Sequence, residues 1–190
     1  MSAIDCALLH HPVRDRAGAV VTTSVTNLDV HDIARSARTY GLSRYYVVTP
    51  IEAQHTLVRR ITEHWTHGAG RRRMPERHEA LELCHPVESL ELALADAAQR
   101  HGRRPLVIAT AARSEGPKRL SFEAGRELAE AARAGTEPVL ILFGTGHGLA
   151  NIVLDSADHV LAPIPGQFGY NHLSVRAAAA IIFDRLLGAR

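Results

Sequence analysis

Apolar runs of strand length alternate with helical stripes along the chain. Residues 3–10 form a first strand candidate, and residues 19–25, rich in β-branched side chains, are either its hairpin partner across Gly18 or a second strand. Asn27 or Asp29 can cap a helix over 30–40, where Val30, Ile33, Ala34, Ala37 and Tyr40 share one face and Gly41 closes the end. Residues 44–49 read as the next strand, and Pro50, at a first helical position, opens a helix reaching Trp65. The segment 68–78 holds two glycines, a proline and Arg71, Arg72 and Arg73, and reads as a loop. A strand over 80–84, a helix over 87–101, a strand over 105–110 and a helix over 121–134, capped by Ser121 and ended by Gly135, follow. Two more buried-strand runs, 138–143 and 159–164, each empty into a loop, and an Ala- and Ile-rich helix begins at 173–176 and runs to Leu187. Such alternation predicts an α/β architecture, a mostly parallel sheet with helices on both faces.

Composition narrows the class. At 190 residues, with 46% hydrophobic and 22% charged positions, the chain fills one core, and residues 1–190 are expected to form a single domain. No apolar run approaches the roughly 18 residues of a membrane span, and residues 1–5 lead into a strand without a signal-peptide pattern; a soluble, cytoplasmic protein is expected, with no membrane partner. Cys6 and Cys84 stand far apart, and neither they nor the histidines, the His10-His11 pair included, show metal-ligand spacing; no metal is expected. The net charge is only +2, yet every basic residue except Lys118 is arginine, a side chain suited to planar, bidentate phosphate contact. The Arg71-Arg72-Arg73 run can track a phosphate backbone, or it can be a solvated surface run.

Three loops carry the candidate chemistry. They follow Thr110, Phe143 and Ile164, each at a strand's carboxyl end, and they converge if those strands are parallel neighbours. The pocket so made is mostly backbone and small side chains, suited to a flat, uncharged ring such as adenine. Gly144-Thr145-Gly146-His147-Gly148 is one residue short of a dinucleotide fingerprint and sits on a late strand, and the Gly-Lys-Ser/Thr of a phosphate-cradling loop is missing. A plain turn at a close approach of two elements is the competing reading of these glycines.

Taken together, "VTNLDVHDIARSARTYG" over 25–41, "GTGHGL" over 144–149 and "NHLSVRAAAAIIFDRLLG" over 171–188 resemble the knotted methyltransferases of the SPOUT superfamily, specifically a bacterial group of RNA methyltransferases. The likeness spans nearly the whole chain. It implies a C-terminal trefoil knot that binds S-adenosyl-L-methionine (SAM), a homodimer whose sites borrow residues from each other, and an RNA substrate, tRNA or rRNA. Carried onto this chain, the cofactor contacts are Thr110 and Ala111; Phe143, Gly144, Thr145, Gly146, His147, Gly148 and Leu149; Pro163, Ile164, Pro165 and Gly166; and His172, Leu173 and Ser174. The first motif of the ribose-methylating branch matches here at Asn27 and Arg35, which with Asn171 and His172 make the candidate catalytic set. Arg35, Arg38, Arg71, Arg72 and Arg73 are the candidate RNA contacts.

Two departures bear on chemistry. That branch carries a glutamate in its glycine loop, where Gly146 and His147 stand here, and its Ser-Leu-Asn is replaced by Tyr170-Asn171-His172. Base and ribose therefore both stay open as the methylated group. A guanidinium keeps its proton at neutral pH, so Arg35 is read first as an electrostatic or phosphate anchor. Arg35 as an ordinary surface arginine and His172 as a helix cap are the competing readings. The alternative functions are a non-catalytic knotted SAM- and RNA-binding protein and a flavodoxin-like nucleotide-binding module.

Overall fold

The structure, a computed structural model, describes all residues except Met1, Gly68, 113–117, Gly169 and Arg190, and leaves out the side chain of Ala69. Seven strands form one parallel sheet: β1 (Ile4–Leu9), β4 (Arg44–Val48), β5 (Cys84–Val87), β6 (Leu106–Thr110), β7 (Arg119–Leu120), β8 (Val139–Gly144) and β9 (His159–Leu161). Their order is β5-β4-β1-β8-β6-β9-β7, and every pairing is parallel. The central strands β1 and β8 are buried almost throughout, as continuous apolar runs require when both faces are covered.

Successive side chains of each strand feed opposite cores. Cys6, Leu8, Ile141 and Phe143 join the first, together with α1 (Asn27–Thr39), α2 (Glu52–Thr66), α4 (Pro75–Leu81), α6 (Phe122–Arg133) and α8 (Val175–Leu187). Ala7, Leu9, Leu140 and Leu142 join the second, with α5 (Leu90–His101) and α7 (Asn151–Ser156). Helices thus cover both faces, as the strand patterns predict. Ser89, Ser121 and Ser174 cap α5, α6 and α8, their hydroxyls accepting from the main-chain N–H of Leu92, Ala124 and Ala177.

Several boundaries differ from expectation for local reasons. Thr26, rather than Asn27 or Asp29, caps α1: its hydroxyl accepts from Asp29 N at 3.1 Å and donates to Asp29 Oδ2 at 2.6 Å. Helix α2 starts after Pro50, with Ile51 at its cap position. The 19–25 run pairs only briefly: β2 (Val13–Arg14) and β3 (Val20–Val21) form a small antiparallel hairpin separate from the main sheet. The expected 68–78 loop is largely helical, as α3 (Ala69–Arg73) and α4. Gly70 permits a close approach, since a Cβ there would lie 2.6 Å from the Trp65 ring, and Pro75 occupies the first turn of α4, where its missing N–H costs nothing. Residues 80 and 81 consequently end a helix, and the strand falls at Cys84–Val87, an edge position that tolerates Pro86. The helix expected over 87–101 therefore starts later, at Leu90, and the last strand ends at Leu161.

Candidate active site

The strands that feed the three loops singled out in the sequence are neighbours. Strands β8, β6 and β9 are consecutive in the sheet and parallel, with Ala109 beside Leu142 and Thr110 beside Leu161, so their carboxyl ends lie at one edge. Thr110 donates its hydroxyl to the Leu142 carbonyl at 2.8 Å, tying the end of β6 to β8, and Ala111 follows immediately. Most of the next loop, 113–117, lies outside the described residues.

The glycine loop is built into its surroundings. Thr145 N and its hydroxyl both donate to the Leu9 carbonyl, at 3.3 and 3.1 Å, and the same hydroxyl meets Thr23 Oγ1. His147 N donates to Arg14 O and Arg14 N to Gly148 O, both at 2.9 Å, so the β2 strand lies along the loop as an added antiparallel edge. Gly146 and Gly148 take φ of 60° and 98°, the left-handed region that glycine enters without strain. With the N–H groups of Thr145, His147 and Gly148 all spent on protein carbonyls, the loop is no anion-cradling nest. Phe143 and Leu149 direct their side chains into the cores, Phe143 edge-on to Phe183 at 5.5 Å, and so can offer a ligand only main chain.

The last loop, after β9, folds tightly on itself. A Cβ at Gly166 would lie 2.2 Å from the Tyr170 carbonyl, and Asn171 packs against the same turn. Ile164 packs on the first core; Pro163 is half-buried, Pro165, Leu173 and Ser174 are exposed, and His172 meets the Tyr170 ring at 5.3 Å. Ser174, not His172, caps α8.

Asn27 and Arg35 both line a cleft of about 530 Å³ on the first-core face. One wall is a stripe of α1, Asn27, Leu28, His31, Asp32 and Arg35; the facing wall is a stripe of α2, Arg60, Ile61, His64 and Trp65; Arg77 of α4 closes the end. The Arg77 guanidinium lies 4.6 Å from the Trp65 ring centre, and His31 and His64 meet that ring edge-on at 5.7 and 5.1 Å. Burial, with the charges of Arg77 and Arg35, lowers the His31 pKa despite Asp32 beside it. Asn171 and His172 do not line this cleft. Arg38 is engaged with Glu79 at 2.7 Å, whereas Arg71, Arg72 and Arg73 stand exposed on α3. Sequence reading passed over His31, Arg60, His64, Trp65 and Arg77, although the spacing 27, 28, 31, 32, 35 and 60, 61, 64, 65 is that of two helical stripes.

Comparison with known proteins gives the family and the fold. The model of the SAM-dependent RNA methyltransferase family matches residues 3–188, and the chain belongs to that family. A tRNA (guanine-N(1)-)-methyltransferase of Oleidesulfovibrio alaskensis is 49% identical over 183 residues, which are 96% of this chain and 41% of that protein. A Nitratidesulfovibrio vulgaris protein of the same name is 48% identical with the same coverage, so the chain spans about two fifths of the length of these curated relatives. An uncharacterized protein of Aquifex aeolicus is 40% identical over 95% of this chain and 86% of its own length. Among solved structures, a putative methylase family protein from Neisseria gonorrhoeae (TM-score 0.65, 18% identity, 98% of this chain, 82% of that one) has the same fold. So does the Aquifex aeolicus TrmH/SpoU tRNA modifying enzyme (TM-score 0.60, 16% identity, 98% and 75%).

Proposed function

We propose that the chain transfers a methyl group from SAM to RNA, tRNA in the first instance, as a homodimer whose C-terminal segment is knotted. The observation that carries this reading is that β6, β8 and β9 are parallel neighbours whose carboxyl ends lie side by side. At the strand ends themselves, Thr110, Ala111, Thr145, Pro163, Ile164 and Pro165 carry uncharged side chains, and Lys118, further along the β6 loop, is spent on the Asp155 and Ala157 carbonyls, which suits a neutral adenine and a sulfonium better than a phosphate. Thr110, Ala111, the main chain of 143–149, Pro163 to Gly166 and His172 to Ser174 would hold the cofactor, which supplies an electrophilic methyl group.

The remaining work falls to the protein. Displacement at a methyl carbon is in-line, so the chain must align the acceptor and let its proton leave. Arg35 and Asn27 anchor the RNA, while Asn171 and His172, on the last loop, orient the acceptor atom and His172 receives its proton. The guanine-N1 specificity of the longer relatives is not carried over, since this chain covers only 41% of them. Exposed Tyr170 and Leu173, and Phe168 with its side chain wholly in solvent, lie on the last loop, where a partner copy would cover them.

Calorimetry with S-adenosylhomocysteine tests the reading. Saturable heat with a micromolar Kd and an upward thermal shift are expected; no heat and no shift would sink it. Cofactor binding with no methyl transfer to any RNA would favour the non-catalytic alternative.

A further inference from the structure

Resting on the RNA reading above, we propose that the cleft between α1, α2 and α4 receives one unstacked nucleotide of the RNA. Its base lies on the Trp65–Arg77 stack, and its phosphate is held by Arg35 and Arg60.

The chemistry of the walls points to this occupant. Arg35, Arg60 and Arg77 converge with no carboxylate bound to any of them among the described residues, whereas nearby Arg38 and Arg59 are paired with Glu79 and Glu52 at 2.7 and 3.0 Å. The one acidic wall residue, Asp32, leans 3.4 Å from Arg176 Nε on α8 instead. The cleft thus carries free positive charge, the complement of a phosphate.

Its floor is aromatic. Trp65 is the only tryptophan of the chain, and Arg77 covers it as a planar cation. Unstacked RNA bases rest on such rings and on arginine planes, which tolerate any base, while hydrogen-bonding groups beside them read its edge. Arg77 and His31 both line the cleft and carry hydrogen-bonding nitrogens; Arg77 Nε and His31 Nδ1 themselves are shut off from solvent and have no hydrogen-bond partner among the described residues, so a base edge meets the other nitrogens of these groups first. Lowered pKa keeps His31 neutral at pH 7, so its ring can accept or donate to a base edge and adds no charge. A cleft of about 530 Å³ is roomy enough for a single nucleotide. Helix α3 fits the same use: Gly70 rests on the Trp65 ring, which brings exposed Arg71, Arg72 and Arg73 beside the cleft to track the neighbouring phosphates.

A lone tryptophan makes the test direct. Trp65 emission is followed while an unmodified tRNA transcript, a single-stranded oligonucleotide and a blunt RNA duplex are titrated in. Saturable quenching by the first two and little by the duplex is expected. Arg77→Ala should weaken binding about fivefold or more, Arg77→Lys should fail to restore it because the planar stack is missing, and Arg60→Ala should flatten the salt dependence by about one phosphate contact. Circular dichroism melts of each variant exclude unfolding as the cause, and Trp65→Phe, read by anisotropy of a labelled RNA, should bind within about twofold of the parent while Trp65→Leu does not. RNA that binds without altering Trp65 emission, or with equal affinity to Arg77→Ala and Trp65→Leu, would overturn the proposal. That result leaves the cofactor reading untouched, because S-adenosylhomocysteine heat is measured without RNA.

Discussion

Arg176, on the second residue of α8, donates to Asp29 Oδ1 at 3.0 Å, tying the helix that follows the last loop to the first turn of α1. Asp29 is nearly buried, with its other oxygen taking the Thr26 hydroxyl. One contact thus fixes the start of α8, just after the last loop, against the motif that holds Arg35. Arg176→Ala should cost about 1–3 kcal/mol in urea unfolding, because it removes a charge-assisted bond and leaves a buried carboxylate short of a partner. The same variant should weaken S-adenosylhomocysteine binding, measured by calorimetry, more than Arg35→Ala does.

His10 lies fully buried at the end of β1, its Nδ1 3.0 Å from the Thr23 hydroxyl that in turn meets Thr145. Burial lowers its pKa from 6.5 to about 4, against a smaller opposing pull from Asp29. The unfolded chain therefore binds this proton first. The stabilisation is fully present above about pH 6.5 and is lost as the pH falls toward 4, with a slope approaching about 1.4 kcal/mol per pH unit. His10→Asn should flatten that part of the stability–pH curve, and NMR titration of the ring should locate the low pKa.

Gly144 and Gly146 fail differently when given a side chain. At Gly144 a Cβ would lie 2.6 Å from the Leu149 nitrogen, a backbone atom that cannot step aside; at Gly146 it would sit 3.0 Å from Arg14 O, with φ already at 60°. Gly146→Ala should cost about 1–2 kcal/mol and Gly144→Ala more. Thermal melts rank the two, and both should lose cofactor affinity if the loop's shape is what binds.

Cys6 and Cys84 are both buried in the first core. Burial raises both thiols, Cys84 to about 12 and Cys6 well above its ordinary value, where the Asp5 charge adds to the rise. Neither is thiolate at pH 8. An aromatic disulfide reagent should react with both only at the rate of unfolding, and both should titrate at once in denaturant.

What the sequence made legible follows physical range. Strands such as β1 and β8 announce themselves because continuous apolar runs need two covered faces, and Ser121 marks the start of α6 directly. The convergence at Thr110, Gly144 and Leu161 was legible only as a condition, since adjacency of β8, β6 and β9 is decided by long-range pairing. Gly70 and Pro75 misled because each breaks a helix in isolation, whereas here one makes room for Trp65 and the other starts a turn. Thr26 was passed over as a cap although Asp29 stands three residues on, a capping-box spacing. The cleft was missed because its stripes lie on two helices brought together only by tertiary packing, and Arg77 reaches them from a third.

Radiolabelled SAM incubated with undermethylated tRNA reads methyl transfer to RNA itself. Label in the RNA is expected, reduced at least about tenfold by Arg35→Ala while the heat of S-adenosylhomocysteine binding is unchanged. Absence of label from tRNA and rRNA alike, with a folded protein that binds the cofactor product, would contradict it.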